Sequence, residues 1–157
     1  MINYLEIEGN LITLAQQGKF DVIAHGCNCF CRMKRGIAPQ MDAAFDCAHY
    51  PMEKPSSAGD INKLGQIDYK QCSISLSGRS ITVVNAYTQY EWSTETKPFD
   101  YEAFALCMRK MNKIFSGQHI GLPQIGSHLA GGNWMIIKDI IKNILKDCKV
   151  TVVIFKP

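Results

Sequence analysis

Apolar residues recur along this chain with two different periods, and the two periods separate predicted strands from predicted helices. Six segments alternate between apolar and polar residues or are continuously apolar, which predicts β-strands: 3–9, 20–26, 66–76, 79–87, 119–123 and 149–155. The centre of 20–26 is apolar on both sides, as in a strand buried within a parallel sheet. Ser77 and Gly78 lie between the third and fourth segments, which predicts a hairpin there.

Three segments between these strands repeat their apolar residues every three or four positions, which predicts helices: 37–49, 99–116 and 133–147. Residues 10–18 are predicted to form a short helix or turn that ends at Gly18. We expect surface loops at 51–65, with room for one helical turn, and at 88–98. Strands that alternate with helices in this way predict an α/β fold with a mixed, largely parallel sheet covered by helices on both faces.

Length and composition are those of one soluble globular domain that spans residues 1–157, with 46% apolar and 20% charged residues. The 17 basic and 14 acidic residues give a net charge of +3, too small to predict nucleic-acid binding from charge. No apolar run approaches the roughly 20 residues of a membrane span. The first residues include Glu6 and Glu8 where a signal peptide is basic and then apolar. We therefore expect a cytoplasmic protein without a membrane partner, and no oligomeric state is predicted.

Seven cysteines are present, and an odd number without an export signal indicates reduced thiols. Three of them alternate in the segment CNCFC, at Cys27, Cys29 and Cys31. Zinc sites usually need four ligands with pairs spaced two to four residues apart, and the rest of the sequence offers no second cluster or histidine pair. The pattern therefore favours structural thiols that behave as small apolar residues, and it predicts no metal and no cofactor.

Two glycine-containing segments follow predicted strands and lead directly into predicted helices, at 25–37 and 124–133. Ligands of such sheets bind beyond the carboxyl ends of the strands, where helix N-termini direct backbone N–H groups at anions. Arg32, Lys34 and Arg35 in the first segment could edge an anion site, form a nucleic-acid patch or be a solvated rim. Neither a phosphate-binding loop ending in Gly-Lys-Ser/Thr nor a dinucleotide fingerprint is present.

Five segments taken together resemble the macrodomains, the ADP-ribose-binding family: EGNL, DVIAHGCNCFCRMKRGIA, VVNAYTQY, LPQIGSHLAGGNW and VTVVIF. The resemblance is strongest to the ADP-ribose 1''-phosphate phosphatases of the yeast and phage type. These share a His-x-Cys-Asn-Cys arrangement, which here is His25, Cys27, Asn28 and Cys29. The resemblance implies a single macrodomain of three αβα layers.

Residue by residue, the resemblance implies that Asn10, Leu11 and Phe155 lie at the adenine and that Asn28 orients the distal ribose. Two backbone loops would bind the diphosphate: Gly36, Ile37 and Ala38 in the first, and Gly126, Ser127, His128, Leu129 and Ala130 in the second. His25 matches the catalytic histidine suggested for the phosphatases, where it would act as base or nucleophile. From its position alone, His25 is more often expected to be a hydrogen-bonded structural histidine than a catalyst.

Lys34 and Arg35 stand where many relatives have small residues, so they would either clamp a terminal phosphate or obstruct the ribose. Related glycohydrolases use a lysine and an aspartate, and Gln89 and Ala130 occupy those positions here. The resemblance implies a protein that binds ADP-ribose or a derivative, and it favours a hydrolase that removes the 1''-phosphate of ADP-ribose 1''-phosphate. No acid that could pair with His25 is evident.

Three other functions stay open. The protein could be a non-catalytic ADP-ribose-binding module, which the missing acid favours. It could be a hydrolase that removes ADP-ribose from protein or DNA, or acetyl from O-acetyl-ADP-ribose. Nucleic acid is expected as a partner only when it is such an ADP-ribosylated substrate. A degenerate fold with a blocked pocket is the third alternative.

Overall fold

The computed structural model describes residues 3–48, 50, 59–74, 78–93, 95–127 and 130–156. Within these ranges the strands, in chain order, are β1 (Tyr4–Gly9), β2 (Val22–Asn28), β3 (Ile67–Ser73), β4 (Ser80–Gln89), β5 (His119–Leu122) and β6 (Lys149–Phe155). The α-helices are α1 (Leu11–Gln16), α2 (Ala38–Phe45), α3 (Tyr101–Ile114) and α4 (Trp134–Ile144). One turn of 3-10 helix at Ile61–Lys63 lies in the predicted loop before β3.

The strands form one six-stranded sheet in the order β1-β6-β5-β2-β4-β3. Each neighbouring pair from β1 to β4 is parallel, and β3 is antiparallel to β4 at the edge. The carboxyl ends of the five parallel strands therefore meet at one edge of the sheet, so the loops that follow β2 and β5 lie at that edge. The predicted mixed, largely parallel sheet is confirmed.

Helices cover both faces of this sheet, because successive residues of a strand point to opposite sides. Val22 and Ala24 of β2 pack in one hydrophobic cluster with buried residues of α3 and α4. Ile23, between them in the chain, packs in a second cluster with buried residues of α1 and α2. This arrangement confirms the predicted three-layer αβα fold.

The ends of the helices are set by capping groups that the hydrophobic pattern does not report. Asp100 caps α3 by accepting a hydrogen bond from the Ala103 N–H at 3.0 Å, and Asn133 caps α4 through the Met135 N–H at 3.0 Å. Both helices begin later than predicted because these capping residues precede the first helical turn. No helix in the described ranges has the length and apolar character needed to cross a membrane.

Candidate functional site

A cavity of about 540 Å³ opens at the sheet edge where the parallel strands end. Its volume lies within the roughly 300–1,000 Å³ of small-molecule pockets. Twelve residues predicted to bind ligand line this cleft: Asn10, Leu11, Asn28, Lys34, Arg35, Gly36, Ile37, Ala38, Gly126, Ser127, Ala130 and Phe155. His128 and Leu129, also predicted, lie outside the described residues.

Strand order gives the cleft two distinct ends. Asn10 follows β1 and Phe155 ends β6, so both lie at one end of the cleft. Thr88 and Gln89 end β4, and they lie at the other end together with Trp92. The β5 and β2 strands lie between, and the loops that follow them form the middle of the cleft.

Asn28 organises the first loop, which follows β2. Its Oδ1 accepts hydrogen bonds from the backbone N–H groups of Phe30 at 3.0 Å and Arg32 at 3.1 Å. Its Nδ2 donates to the Arg32 carbonyl at 3.0 Å, and the residue is 6% exposed. Both acceptor positions of the amide oxygen and one Nδ2 hydrogen are thus used within the loop, so only the second Nδ2 hydrogen is left for a ligand.

The end of the first loop carries the features of an anion site. Gly36 has a φ of +64°, a conformation that residues with a side chain rarely adopt, and no described atom lies within 4 Å of where its Cβ would be. Helix α2 begins two residues later, and the residue before it, Ile37, makes no capping hydrogen bond through its side chain. In this first turn the Met41 N–H donates to the Ile37 carbonyl at 3.0 Å and Pro39 has no N–H, which leaves two backbone N–H groups that can bind an anion.

The second loop, which follows β5, packs against Phe99 and is held by its own hydrogen bonds. Gly126 has a φ of +73°, and a Cβ there would lie 2.3 Å from the Phe99 ring. The Gly132 N–H donates to the Gly126 carbonyl at 2.7 Å, and Ser127 Oγ donates to the Gln124 carbonyl at 3.0 Å. These contacts fix the positions of Gly126 and Ser127, the described residues of the loop that line the cleft.

Three cations of the first loop line the cleft. The Arg32 guanidinium lies 4.3 Å from the ring centroid of Trp92, a cation–π contact. Phe30 packs edge-on against the same indole at 5.2 Å, which holds it in place. Lys34 and Arg35 are exposed at the cleft wall. Positive charge is thus concentrated beside the Gly36 backbone.

His25 does not line the cleft, because its side chain is 0% exposed. The predicted strand 20–26 placed it next to a strand end, but β2 continues to Asn28 and keeps His25 inside the sheet. Burial lowers the pKa of His25 to about 4, so the ring is neutral near pH 7. A neutral, enclosed ring is poorly placed to contact a ligand in the cleft, so the geometry does not favour a direct catalytic role.

A hydrogen-bond network explains how this ring is held. The Asn85 side-chain NH₂ donates to Asp68 Oδ1 at 2.8 Å and to the Cys47 carbonyl at 2.9 Å. Asn85 Oδ1 must therefore accept the hydrogen bond from the His25 ring, and the distance from His25 Nε2 to Asn85 Oδ1 is 2.8 Å. The ring proton thus lies on Nε2. Tyr87 donates to the other oxygen of Asp68 at 2.5 Å. The acid that sequence reasoning missed is thus Asp68, which reaches His25 through Asn85.

The cysteines of the first loop are free thiols, and Cys27 and Cys31 line the cleft. Burial raises the pKa of both, so they are neutral near pH 7 and poor nucleophiles. Among the described residues, no three His, Cys, Asp or Glu side chains are grouped so that they could hold a metal ion.

Thr88 and Trp92 also line the cleft and were not among the predicted ligand contacts. Both belong to the segment that follows the predicted fourth strand. The pairing of β4 with β2 brings that segment to the cleft, and hydrophobic periodicity does not indicate which strands pair. The sequence did carry one signal for these two residues. Parallel strands place their carboxyl ends at the same edge of the sheet, so residues that follow such a strand are expected near the cleft.

A protein of Enterobacteria phage T4 is similar to this chain along nearly its whole length. It is the uncharacterized 17.5 kDa protein in the tk-vs intergenic region, with 30% identity over 155 residues, which covers 96% of each chain. No family model matches the chain.

Macrodomain structures are similar to this chain in fold. The macrodomain of Thermus aquaticus DarG has a TM-score of 0.66 at 19% identity and covers 98% of each chain. Thermosipho africanus DarTG in complex with ADP-ribose has a TM-score of 0.75 at 14% identity, and the match covers 100% of this chain and 42% of that one. A Trypanosoma brucei macrodomain in complex with ADP-ribose has a TM-score of 0.64 at 12% identity, and the match covers 98% of this chain and 63% of that one. The chain has the macrodomain fold and belongs to the same family as the phage T4 17.5 kDa protein.

Proposed function

We propose that this protein binds ADP-ribose in the cleft at the carboxyl edge of its sheet. The observation that carries the proposal is that two glycine-containing loops, each leading into a helix N-terminus, line the same cavity of about 540 Å³. Backbone N–H groups at the N-terminus of α2, whose first residue Ala38 lines the cleft, suit a diphosphate, and the helix dipole also favours its charge. Two of the structures similar in fold are complexes with ADP-ribose.

The two ends of the cleft suggest the direction of the ligand. Phe155 is 64% exposed and places an aromatic ring at the β1–β6 end of the cleft, where an adenine could stack. The diphosphate would lie over the Gly36 and Gly126 loops in the middle. The distal ribose would then reach the β2–β4 end, next to Asn28 and the Arg32–Trp92 pair.

Calorimetric titration with ADP-ribose tests this function. Removing the ring with Phe155→Ala should weaken binding roughly tenfold, since stacking of one base on an aromatic ring contributes about 1–3 kcal/mol. Met135→Ala is the matched control, because Met135 is also 64% exposed and does not line the cleft. Absence of binding by the unchanged protein would reject the proposal.

Hydrolysis of ADP-ribose 1''-phosphate is a second candidate, favoured by the three cations Arg32, Lys34 and Arg35 on the cleft wall. In this reaction the oxygen of a water bonds to phosphorus while the bond between phosphorus and the ribose oxygen breaks, which yields ADP-ribose and inorganic phosphate. Phosphoryl transfer depends mainly on positioning and on stabilisation of charge. The loop cations and backbone N–H groups would supply both. His25 would contribute only indirectly, by holding β2 and β4 in place through its hydrogen bond to Asn85.

Release of phosphate from ADP-ribose 1''-phosphate tests the second candidate. Lys34→Gln together with Arg35→Gln should lower the rate at least tenfold, because each removes one positive charge from the cleft wall. Arg109→Gln, at an exposed position outside the cleft, should leave the rate unchanged. A protein that binds ADP-ribose and releases no phosphate would be a binding module, and hydrolysis would be rejected.

A further inference from the structure

Arg32 is held in place at both its backbone and its side chain. Its backbone N–H donates to Asn28 Oδ1 at 3.1 Å, and its carbonyl accepts a hydrogen bond from Asn28 Nδ2 at 3.0 Å. Its guanidinium lies 4.3 Å from the centroid of the Trp92 ring. A flexible arginine loses conformational entropy when it binds an anion, so a guanidinium that is already held in position binds at a lower entropic cost.

Trp92 is itself held by the first loop. Phe30 packs edge-on against the indole at 5.2 Å and against the Tyr90 ring at 5.1 Å. The Phe30 N–H donates to Asn28 Oδ1 at 3.0 Å, and the Cys29 N–H donates to the Tyr90 carbonyl at 3.0 Å. The first loop and the segment that follows β4 are therefore joined, and Trp92 offers a fixed surface for the guanidinium.

The guanidinium of Arg32 is accessible from the cleft, and its N–H donors are unused. Arg32 is exposed and lines the cleft together with Trp92. Within the described part of the chain, this guanidinium contacts the indole and makes no hydrogen bond or ion pair. No carboxylate is among the described residues that line the cleft. Glu91, next to Trp92 in the chain, accepts a hydrogen bond from the Thr96 hydroxyl instead. An accessible guanidinium in these surroundings is suited to an anion of the ligand.

The position of this guanidinium in the cleft indicates which anion it would bind. Trp92 follows β4, at the end of the cleft opposite Phe155. In the orientation proposed above, the diphosphate lies over the Gly36 and Gly126 loops in the middle. Arg32 then lies beside the distal ribose, so the anion it binds would be a substituent of that ribose.

We propose that Arg32 is a specificity-determining residue that binds a phosphate group on C1'' of the distal ribose, and that Trp92 is a positioning residue for its guanidinium. This inference rests on the proposed function and narrows the ligand to derivatives of ADP-ribose with a distal phosphate. A guanidinium binds phosphate through two parallel N–H···O hydrogen bonds, which an ammonium group cannot form. The side chains of Lys34 and Arg35 make no hydrogen bond, ion pair or ring contact with described residues, so they add charge without a fixed position.

Calorimetry with two ligands tests the role of Arg32. One ligand is ADP-ribose, and the other is the phosphonate analogue of ADP-ribose 1''-phosphate in which CH₂ replaces the oxygen between C1'' and phosphorus, so that it cannot be hydrolysed. The parent should bind the analogue at least roughly tenfold more tightly, the effect of hydrogen bonds to a charged group. Arg32→Lys keeps the charge and should lose most of this preference, with affinity for ADP-ribose within about twofold of the parent. Arg109→Lys, the same change at an exposed position outside the cleft, should leave both affinities unchanged.

Trp92 variants test the positioning role with the same two ligands. Trp92→Leu should reduce the preference for the analogue roughly threefold, because the guanidinium is no longer held. Trp92→Phe keeps an aromatic ring under the guanidinium and should restore most of the preference. In the Arg32→Lys background, Trp92→Leu should have no further effect on the preference, which distinguishes action through Arg32 from a general structural role.

The outcomes separate this inference from the proposed function. Equal affinity of the parent for the two ligands, or an unchanged preference in Arg32→Lys, would overturn the inference and leave ADP-ribose binding intact. An equal loss of affinity for both ligands in Arg32→Lys would place Arg32 at the diphosphate and would also overturn it. Absence of binding of either ligand by the parent would overturn the proposed function and, with it, this contact.

Discussion

His25 lies inside β2 with its ring fully buried and its Nε2–H bonded to Asn85. Burial lowers its pKa to about 4, whereas an unfolded chain binds a proton there at about pH 6.5. Between these values the unfolded state binds more protons than the folded state. The contribution of His25 to stability is therefore complete above pH 6.5 and is lost as the pH falls toward 4.

We expect this group to lower the free energy of unfolding by about 2 kcal/mol between pH 7 and pH 5. Urea denaturation of the parent and of His25→Gln at both pH values measures the effect. Glutamine does not titrate, so the variant should lose less stability on acidification than the parent does. Equal losses in the two proteins would show that the ring is not buried in its neutral form.

At the scale of the element, the first loop joins β2 to α2 and is shaped by its own backbone hydrogen bonds. Asn28 holds its beginning, and Gly36 provides its left-handed turn before the helix. Gly78 has a similar φ, +67° against +64°, and no described atom lies within 4 Å of a Cβ at either glycine. The two glycines thus differ in location and not in local strain, which makes them a matched pair.

Gly36→Ala and Gly78→Ala should each lower the free energy of unfolding by about 1 kcal/mol, because alanine is disfavoured at positive φ. Only Gly36→Ala should weaken ADP-ribose binding, since its methyl group would occupy space where the ligand approaches the backbone. Denaturation and calorimetry on both variants measure the two effects. An equal effect on affinity would argue against a diphosphate over the first loop.

At the scale of the whole molecule, local and long-range features differ in how well the sequence predicts them. The strand predicted at 149–155 matches β6, Lys149–Phe155, because an apolar strand pattern is local. The Gly36 turn and the start of α2 are adjacent in sequence and could be predicted together. Strand order depends on pairs such as His25 and Asn85, 60 residues apart, which periodicity does not encode. The burial of His25 and the position of Thr88 beside Gly26 follow from that order, so they became visible only in the fold.

The central claim is that ADP-ribose lies along the sheet edge, and a crystal structure of the protein soaked with ADP-ribose tests it most directly. The account predicts adenine against Phe155, the diphosphate between the Gly36 and Gly126 loops, and the distal ribose next to Asn28. Lys34 and Arg35 should extend along the cleft wall toward the phosphates. A cleft filled by these two side chains, or ADP-ribose bound elsewhere on the surface, would contradict the account.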